Sequence, residues 1–427
     1  MSSSESSSWQ PLLKGELRQK AERAIQEICP ALEPTDSNLL EGPDLLAQYA
    51  LLHAYLAVVT GDDEHEQAVT RFLDASIERL AEAPIRPALH GGFTGIAWIV
   101  EHLQHPPFTA GGETTPESED PNSDIDAALL SYLGSPSWKE TFDLMAGLVG
   151  FGVYALERMP RPSAVACLER VLDHLAGLAS SSEGDVTWWT PPELVARLNR
   201  DPQETGHYNL GVSHGVPGVI GFLAQARMAT DFGAKIEPML AGAVSWLMKQ
   251  QLPKEMGSRF AHATGGNYEP RPSRAAWCYG DPGIAVALLS AAQSTKSADW
   301  ERQAIEIGIN ASRRDPAQCG VTDAGLCHGA TGLAHVYNRL FQATRQREFA
   351  DVSIFWFDRA LEMRRSGQGV AGFAAYVPNA DPVVQWHSDR EFLMGATGVA
   401  LSLLAASSSV EPLWDRLLLA SVRPKPM

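Results

Sequence analysis

The sequence predicts an all-α fold, an α/α toroid of seven inner and seven outer helices with a small irregular or short-stranded insertion. Three observations predict it. The pattern G-x-x-G followed by an apolar helical stretch occurs six times, starting at Gly92, Gly147, Gly215, Gly280, Gly329 and Gly395. Successive starts lie 55, 68, 65, 49 and 66 residues apart, room for two helices and their connections in each unit. Between the apolar stretches lie more polar ones whose apolar residues recur at helical spacing, so outer amphipathic helices alternate with inner apolar ones. A chain of 427 residues can bury either two or three ordinary cores or one toroidal core. The repeat favours the toroid.

Taken in order, residues 1–12 read as a disordered N-terminus because of the serine run in MSSSESSSWQ, and residues 13–427 as one toroidal domain. The stretches GELRQKAERAIQEI and LLAQYALLHAYLAVV form a first outer–inner pair without G-x-x-G. Leu45 to Val59 is interrupted by Gln48 and His53 and falls short of the roughly 20 residues of a membrane span, so it reads as a buried helix. The outer helices continue through EHEQAVTRFLDASIERLAE, DIDAALLSYLG, SAVACLERVLDHLAGLA, IEPMLAGAVSWLMKQQ, WERQAIEIGINASRR and FADVSIFWFDRALEMRR. Residues 105–124, rich in Pro, Gly, Ser and acids, are an inserted loop, and residues 180–209 a second insertion with room for short strands. The glycines allow positive φ and close packing where each inner helix begins. Pro217 and Pro282 fit a first helical turn, where a missing N–H costs little.

Lys and Arg number 34 against 51 Asp and Glu, a net charge of −17 that disfavours nucleic acid and anionic membranes as partners. Five cysteines, an odd and sparse set, argue against a disulfide framework and for a reducing, cytoplasmic compartment. The opening residues lack the basic and apolar regions of a signal peptide.

What distinguishes the six loops carries the chemistry. The third reads SHGVPG with His214, the fourth WCYGDPG with Cys278, the fifth LCHGATG with Cys327 and His328. Counted back from each leading glycine, His214, Tyr279 and His328 share one position, and Cys278 and Cys327 share the position before it. If the repeats close into a ring, these residues meet at one mouth. Two thiols and an imidazole make a three-ligand zinc site with an open fourth position, as in catalytic zinc. Two thiolates cancel the charge of the dication, so a third thiolate arriving there stays nucleophilic.

A buried cysteine can also be a small hydrophobe without function, but the shared register and the adjacent Cys327–His328 pair favour zinc. Cys319 reads as a free loop thiol, with a structural fourth ligand as the alternative. His214 is either a core histidine or a proton donor or acceptor in the cavity. Asp143 is a helix cap or an acid that orients a partner. Arg274, four residues before Cys278, either stabilises an oxyanion or forms a surface pair. Spacing decides neither of the last two.

SHGVPG, WCYGDPG and LCHGATG, in that order on helical repeats of this length, closely resemble the lanthionine synthetase C family, the stand-alone lanthipeptide cyclases of bacteria. The resemblance implies an α/α toroid with one zinc ion on Cys278, Cys327 and His328. It carries the family's catalytic histidine to His214, its aspartate to Asp143, and the arginine, tryptophan and tyrosine around the first ligand to Arg274, Trp277 and Tyr279. The implied reaction is an intramolecular Michael addition in a dehydrated precursor peptide: a cysteine thiolate attacks dehydroalanine or dehydrobutyrine, forming lanthionine or methyllanthionine. The resulting enolate needs an acid, for which His214 is the candidate, and Arg274 can stabilise its oxygen. A separate dehydratase is the implied partner.

Three rivals remain. A terpene cyclase or prenyltransferase toroid needs acid-rich metal motifs, and the nearest, GDDEHE at residues 61–66, sits where acids favour a helix N-terminus anyway. A relative that binds glutathione or adds it to dehydrated residues would use the same zinc. A binding module with purely structural zinc would need a closed site.

Overall fold

A computed structural model of the chain describes residues 9–33, 42–82, 85–109, 120–199, 205–377 and 385–425. The elements in chain order are α1 (Gly15–Leu32), α2 (Pro43–Thr60), α3 (Asp63–Glu82), α4 (Phe93–His102), α5 (Ser123–Leu133), α6 (Leu148–Glu157), α7 (Pro162–Leu178), β1 (Ser180–Ser182), β2 (Asp185–Thr187), α8 (Pro192–Asn199), β3 (Tyr208–Asn209), α9 (Val216–Ala229), α10 (Gly233–Met248), β4 (Ala263–Thr264), α11 (Asp281–Thr295), α12 (Ala298–Ser312), α13 (Ala330–Thr344), α14 (Arg347–Glu362), β5 (Ala375–Tyr376), β6 (Trp386–His387) and α15 (Ala396–Ser407).

Helices that are apolar all round must be covered on every side, and helices with one apolar stripe need cover on one. In α15 every residue is buried, whereas α3 buries only Ala68, Phe72 and Ser76. The same contrast sorts α2, α4, α6, α9, α11, α13 and α15 as inner helices and α1, α3, α5, α7, α10, α12 and α14 as outer ones. Each inner helix packs against the next, α2 on α4, α4 on α6, α6 on α9, α9 on α11, α11 on α13 and α13 on α15. Contact of α15 with α2 closes the ring. The expected toroid of seven inner and seven outer helices is therefore present, with α8 as an extra helix in the second insertion.

Two expectations are corrected. The hairpin unit runs inner then outer, since α2 packs on α3, α11 on α12 and α13 on α14; α1 is no partner of α2 but packs against α15, sealing the ring with the chain's two ends. The disordered reading of residues 1–12 fails for 9–12. The Trp9 indole is buried and donates to the Ala405 carbonyl at 2.9 Å, and the Leu12 N–H bonds the Ala406 carbonyl at 2.8 Å. Residues 1–8 lie outside the described residues, as does 110–119 of the first inserted loop, whose final residues belong to α5. The second insertion forms the β1–β2 hairpin, α8 and β3, and β3 pairs antiparallel with β4, Asn209 opposite Ala263.

The glycine pattern has a sharper cause than expected. Of the six leading glycines only Gly280 takes positive φ, at 119°. The second glycine of each pair, from Gly95 to Gly398, has the backbone carbonyl of the residue six earlier folded against it, where any Cβ would overlap that oxygen. Close approach sets the motif, so each loop must double back over the start of its inner helix. Pro217 and Pro282 lie in first turns, and Asp63, Glu64 and Glu66 open α3 as expected of acids at a helix N-terminus.

The ring's axis is occupied by the C-terminal segment. The 3₁₀ turn Leu413–Leu418 enters between the inner helices. The Trp414 N–H donates to Tyr55 Oη at 3.0 Å, and the fully buried Asp415 accepts from Arg339 Nε and bonds the His335 Nε2 at 2.7 Å. The segment fills the barrel from the end where the inner helices finish.

Candidate functional site

All seven inner helices start at the same end, and their leading loops are stitched together there. The N–H of His90 bonds the Met145 carbonyl (3.0 Å), Leu144 bonds Ser213 (3.2 Å), Ser213 bonds Cys278 (3.4 Å), Cys278 bonds Cys327 (3.4 Å) and Cys327 bonds Leu393 (2.7 Å). This chain of backbone bonds puts the residues two before each leading glycine side by side around the mouth.

Cys278 and Cys327 occupy that position in adjacent loops. Their sulfurs and a His328 ring nitrogen lie within 4.8 Å of one another, with Cys278 Sγ 3.9 Å from His328 Nδ1. Donors around one tetrahedral zinc, with bonds of about 2.0–2.3 Å, lie roughly 3.5–3.8 Å apart, so the three fit such an ion after a contraction of about 1 Å. The donor set is soft and holds no carboxylate, as suits zinc. Cys278 is buried while Cys327 and His328 are partly exposed, which leaves the group reachable from the mouth. The Cys327 S–H donates to Cys278 and, with His328, holds the Cys278 thiol well below the usual range. The same bond, with burial, pushes Cys327 well above it. Cys319 stands apart, its S–H on the Asp315 carbonyl at 3.5 Å.

His214 lies one loop further round. Its Nδ1 is 2.6 Å from Asp143 Oδ2, and Asp143 is 2% exposed. The other carboxylate oxygen accepts the Ala146 N–H at 2.9 Å. Asp143 thus bonds within its own turn and to the histidine at once, while the cap of the following helix is Gly147. With its Nδ1 bonded to the carboxylate, His214 keeps its Nε2 without a hydrogen-bond partner among the described residues.

Tyr279 accepts a hydrogen bond from Asn209 Nδ2 at 2.8 Å, and burial raises its pKa, so the phenol stays protonated. Arg274, Tyr279 and His214 line a cavity of about 400 Å³ together with Asn209, His262 and Tyr268. Trp277 is a correction. Its side chain is 1% exposed and its indole N–H donates to the Leu418 carbonyl at 2.8 Å, turned into the core and away from the cavity. It anchors the C-terminal segment.

Asn209 and His262 escaped the sequence reading because neither belongs to a G-x-x-G loop. The two-residue strands β3 and β4 bring them in across more than fifty residues of chain. Asp281, first residue of α11, fixes that wall by accepting the backbone N–H groups of Arg259 (2.8 Å) and Phe260 (3.1 Å). A second cleft of about 380 Å³ opens beside the Cys327 loop, lined by Asp323, Phe373 and the half-exposed Trp386.

A closed α/α toroid with two thiols, an imidazole and a His–Asp pair converging at its mouth defines a class of helical-barrel protein with a sulfur-rich group able to hold a metal ion. The chain belongs to the lanthionine synthetase C-like family, whose model matches residues 45–419. Its fold is that of nisin cyclase, with a TM-score of 0.70 over 95% of this chain and 98% of that one at 18% identity. A Danio rerio protein described as glutathione S-transferase LANCL1 is 23% identical over 163 residues; the match spans 37% of this chain and 36% of that protein's length. None of the described helices is long and apolar enough to cross a membrane.

Proposed function

We propose that the chain is a zinc-dependent lanthipeptide cyclase. It adds a cysteine thiol of a dehydrated precursor peptide to dehydroalanine or dehydrobutyrine in the same peptide, giving (methyl)lanthionine rings. The observation that carries this reading is the convergence of Cys278, Cys327 and His328 on one point, next to the Asp143–His214 pair, in a chain of this family. Cys278, Cys327 and His328 would hold the zinc, which when bound would lower the pKa of the substrate thiol.

The chain's own residues do the rest. The Asp143 carboxylate keeps the proton on His214 Nδ1, so Nε2 is free to take the thiol proton. As the C–S bond forms at the β-carbon, charge moves onto the carbonyl oxygen of the dehydro residue. The Arg274 guanidinium and the Tyr279 hydroxyl, both on the cavity wall, are placed to donate to it. The proton returns from His214 Nε2 to the α-carbon, so the product has the composition of the substrate. The dehydro residues come from a separate dehydratase acting first, in the reducing compartment that free thiols require, which we assign to the cytoplasm.

The test is to incubate a dehydrated, cysteine-containing peptide with the protein, then alkylate and weigh it. Ring closure leaves the mass unchanged and removes one alkylatable thiol per ring. Thiols that stay fully alkylatable relative to a protein-free control contradict the reading. The Danio rerio relative's description favours one alternative, addition of free glutathione at the same site, which yields a product heavier by one glutathione.

A further inference from the structure

Among the described residues, the two fully buried arginines are saturated with carboxylates. Arg158 meets Asp120, Asp126 and Glu101, and Arg339 meets Asp415 and Glu411. That is what a low-dielectric interior demands, because an unpaired buried cation costs several kcal/mol. Arg274 breaks the pattern. It is only partly exposed and lines the cavity at the mouth, yet it makes no ion pair or side-chain hydrogen bond among the described residues. In a chain of net charge −17, carboxylates are not scarce.

The facing wall repeats the omission. The His262 ring lies 5.2 Å from the Tyr279 ring, and its nitrogens have no hydrogen-bond partner among the described residues. Burial, and after it the nearby charge of Arg274, disfavours protonation of His262. His207 and Tyr268 complete that side, and among the described residues the lining side chains include no carboxylate. Asp143, behind His214, is already engaged on both oxygens. The metal donors offer Arg274 no compensation either, because two thiolates and a divalent cation sum to zero.

We infer that this cavity is a binding site for a carboxylate of the substrate peptide, with Arg274 as its ion-pair partner and His262 as a second, substrate-contacting donor. The occupant is an acidic side chain next to the reacting cysteine or the peptide's own C-terminal carboxylate. The volume of about 400 Å³ suits one such residue with its backbone. The identification of the occupant as a peptide rests on the cyclase reading; the preference for an anion does not.

The test uses binding, without ring closure. Three short N-acetylated peptides with one cysteine and no dehydro residue are titrated into the zinc-loaded protein: one with Glu beside the cysteine and an amidated C-terminus, its Gln counterpart, and the Gln peptide with a free C-terminal acid. At least one acid is expected to bind about tenfold tighter than the neutral amide, as a charge-assisted bond in a partly buried site allows. Preference for the Glu amide assigns a side chain, and preference for the free acid assigns the C-terminus. Equal binding of all three, or tightest binding of the neutral peptide, overturns the inference. In His262→Ala, checked for unchanged melting temperature and metal content, the preference should shrink about threefold; an undiminished preference removes His262 from the site. The comparison in the unaltered protein stands even if the variant misfolds. A protein that prefers the acid but closes no ring refutes the cyclase reading alone.

Discussion

The two ends of the barrel treat charge in opposite ways. Where the inner helices finish, the buried charges among the described residues are paired: Arg339 and His335 close on Asp415, Arg416 and His102 on Glu157, Arg158 on three acids. Where they begin, two thiols lie side by side with their pKa values pushed apart, and among the described residues His214 has one nitrogen bonded and one free and Arg274 stands without a carboxylate. A site saturated from within has nothing left to give a ligand, so the first end is architecture. The second is left incomplete, as the proposed metal and substrate sites require.

The comparison breaks most visibly at His214. His214→Asn should lower the ring-closure rate by about 10²–10⁴, the usual worth of a positioned acid–base group, and change unfolding free energy by less than about 1 kcal/mol because the residue is partly exposed. Single-turnover assays beside thermal melts separate the two. Full retention of rate with metal bound would require another proton carrier.

Asp415→Asn should do the reverse. It leaves Arg339 and His335 facing a neutral group in the core, at a cost of about 3–5 kcal/mol in denaturant unfolding, while the zinc donors keep their affinity. Equal loss of metal and stability would mean that the two ends are coupled.

Acid tests the same end without mutation. Burial alone would raise Asp415 and Glu157, but Arg339 and His335 for the first, and His102 and Arg416 for the second, hold both below the usual carboxylate range. A depressed folded pKa contributes stability that is complete above the unfolded value of about 4 and is lost as pH falls through the folded one. The melting temperature should therefore fall steeply below about pH 4, and less so in Asp415→Asn. Smallest of all, Trp277→Phe should cost about 1–2 kcal/mol for the lost bond to Leu418 and leave turnover within about twofold. A large loss of rate at unchanged stability would return Trp277 to the cavity.

The helices and their closure were legible because both rest on periodicity. Apolar stretches behind G-x-x-G marked α4, α6, α9, α11, α13 and α15, and the shared register of Cys278, Cys327 and His328 anticipated their meeting. What stayed hidden depends on contacts with no period. The C-terminal turn at 413–418 is too short for a helical pattern, so the filling of the axis by Trp414 and Asp415 left no trace. Strands β3 and β4 have two residues each and no alternation, so His262 could not be placed on the cavity wall. Trp277 sits one residue before a zinc donor, and only the direction of its side chain separates core from site.

The central claim is that three residues from two loops make one metal site at the mouth. It is tested most directly by the zinc content of the purified protein beside Cys278→Ala, Cys327→Ala, His328→Ala and Cys319→Ala. The account predicts close to one zinc per chain in the native protein and in Cys319→Ala, and its loss in the other three. Zinc retained by the Cys278 and Cys327 variants, or absent from the native protein, contradicts it.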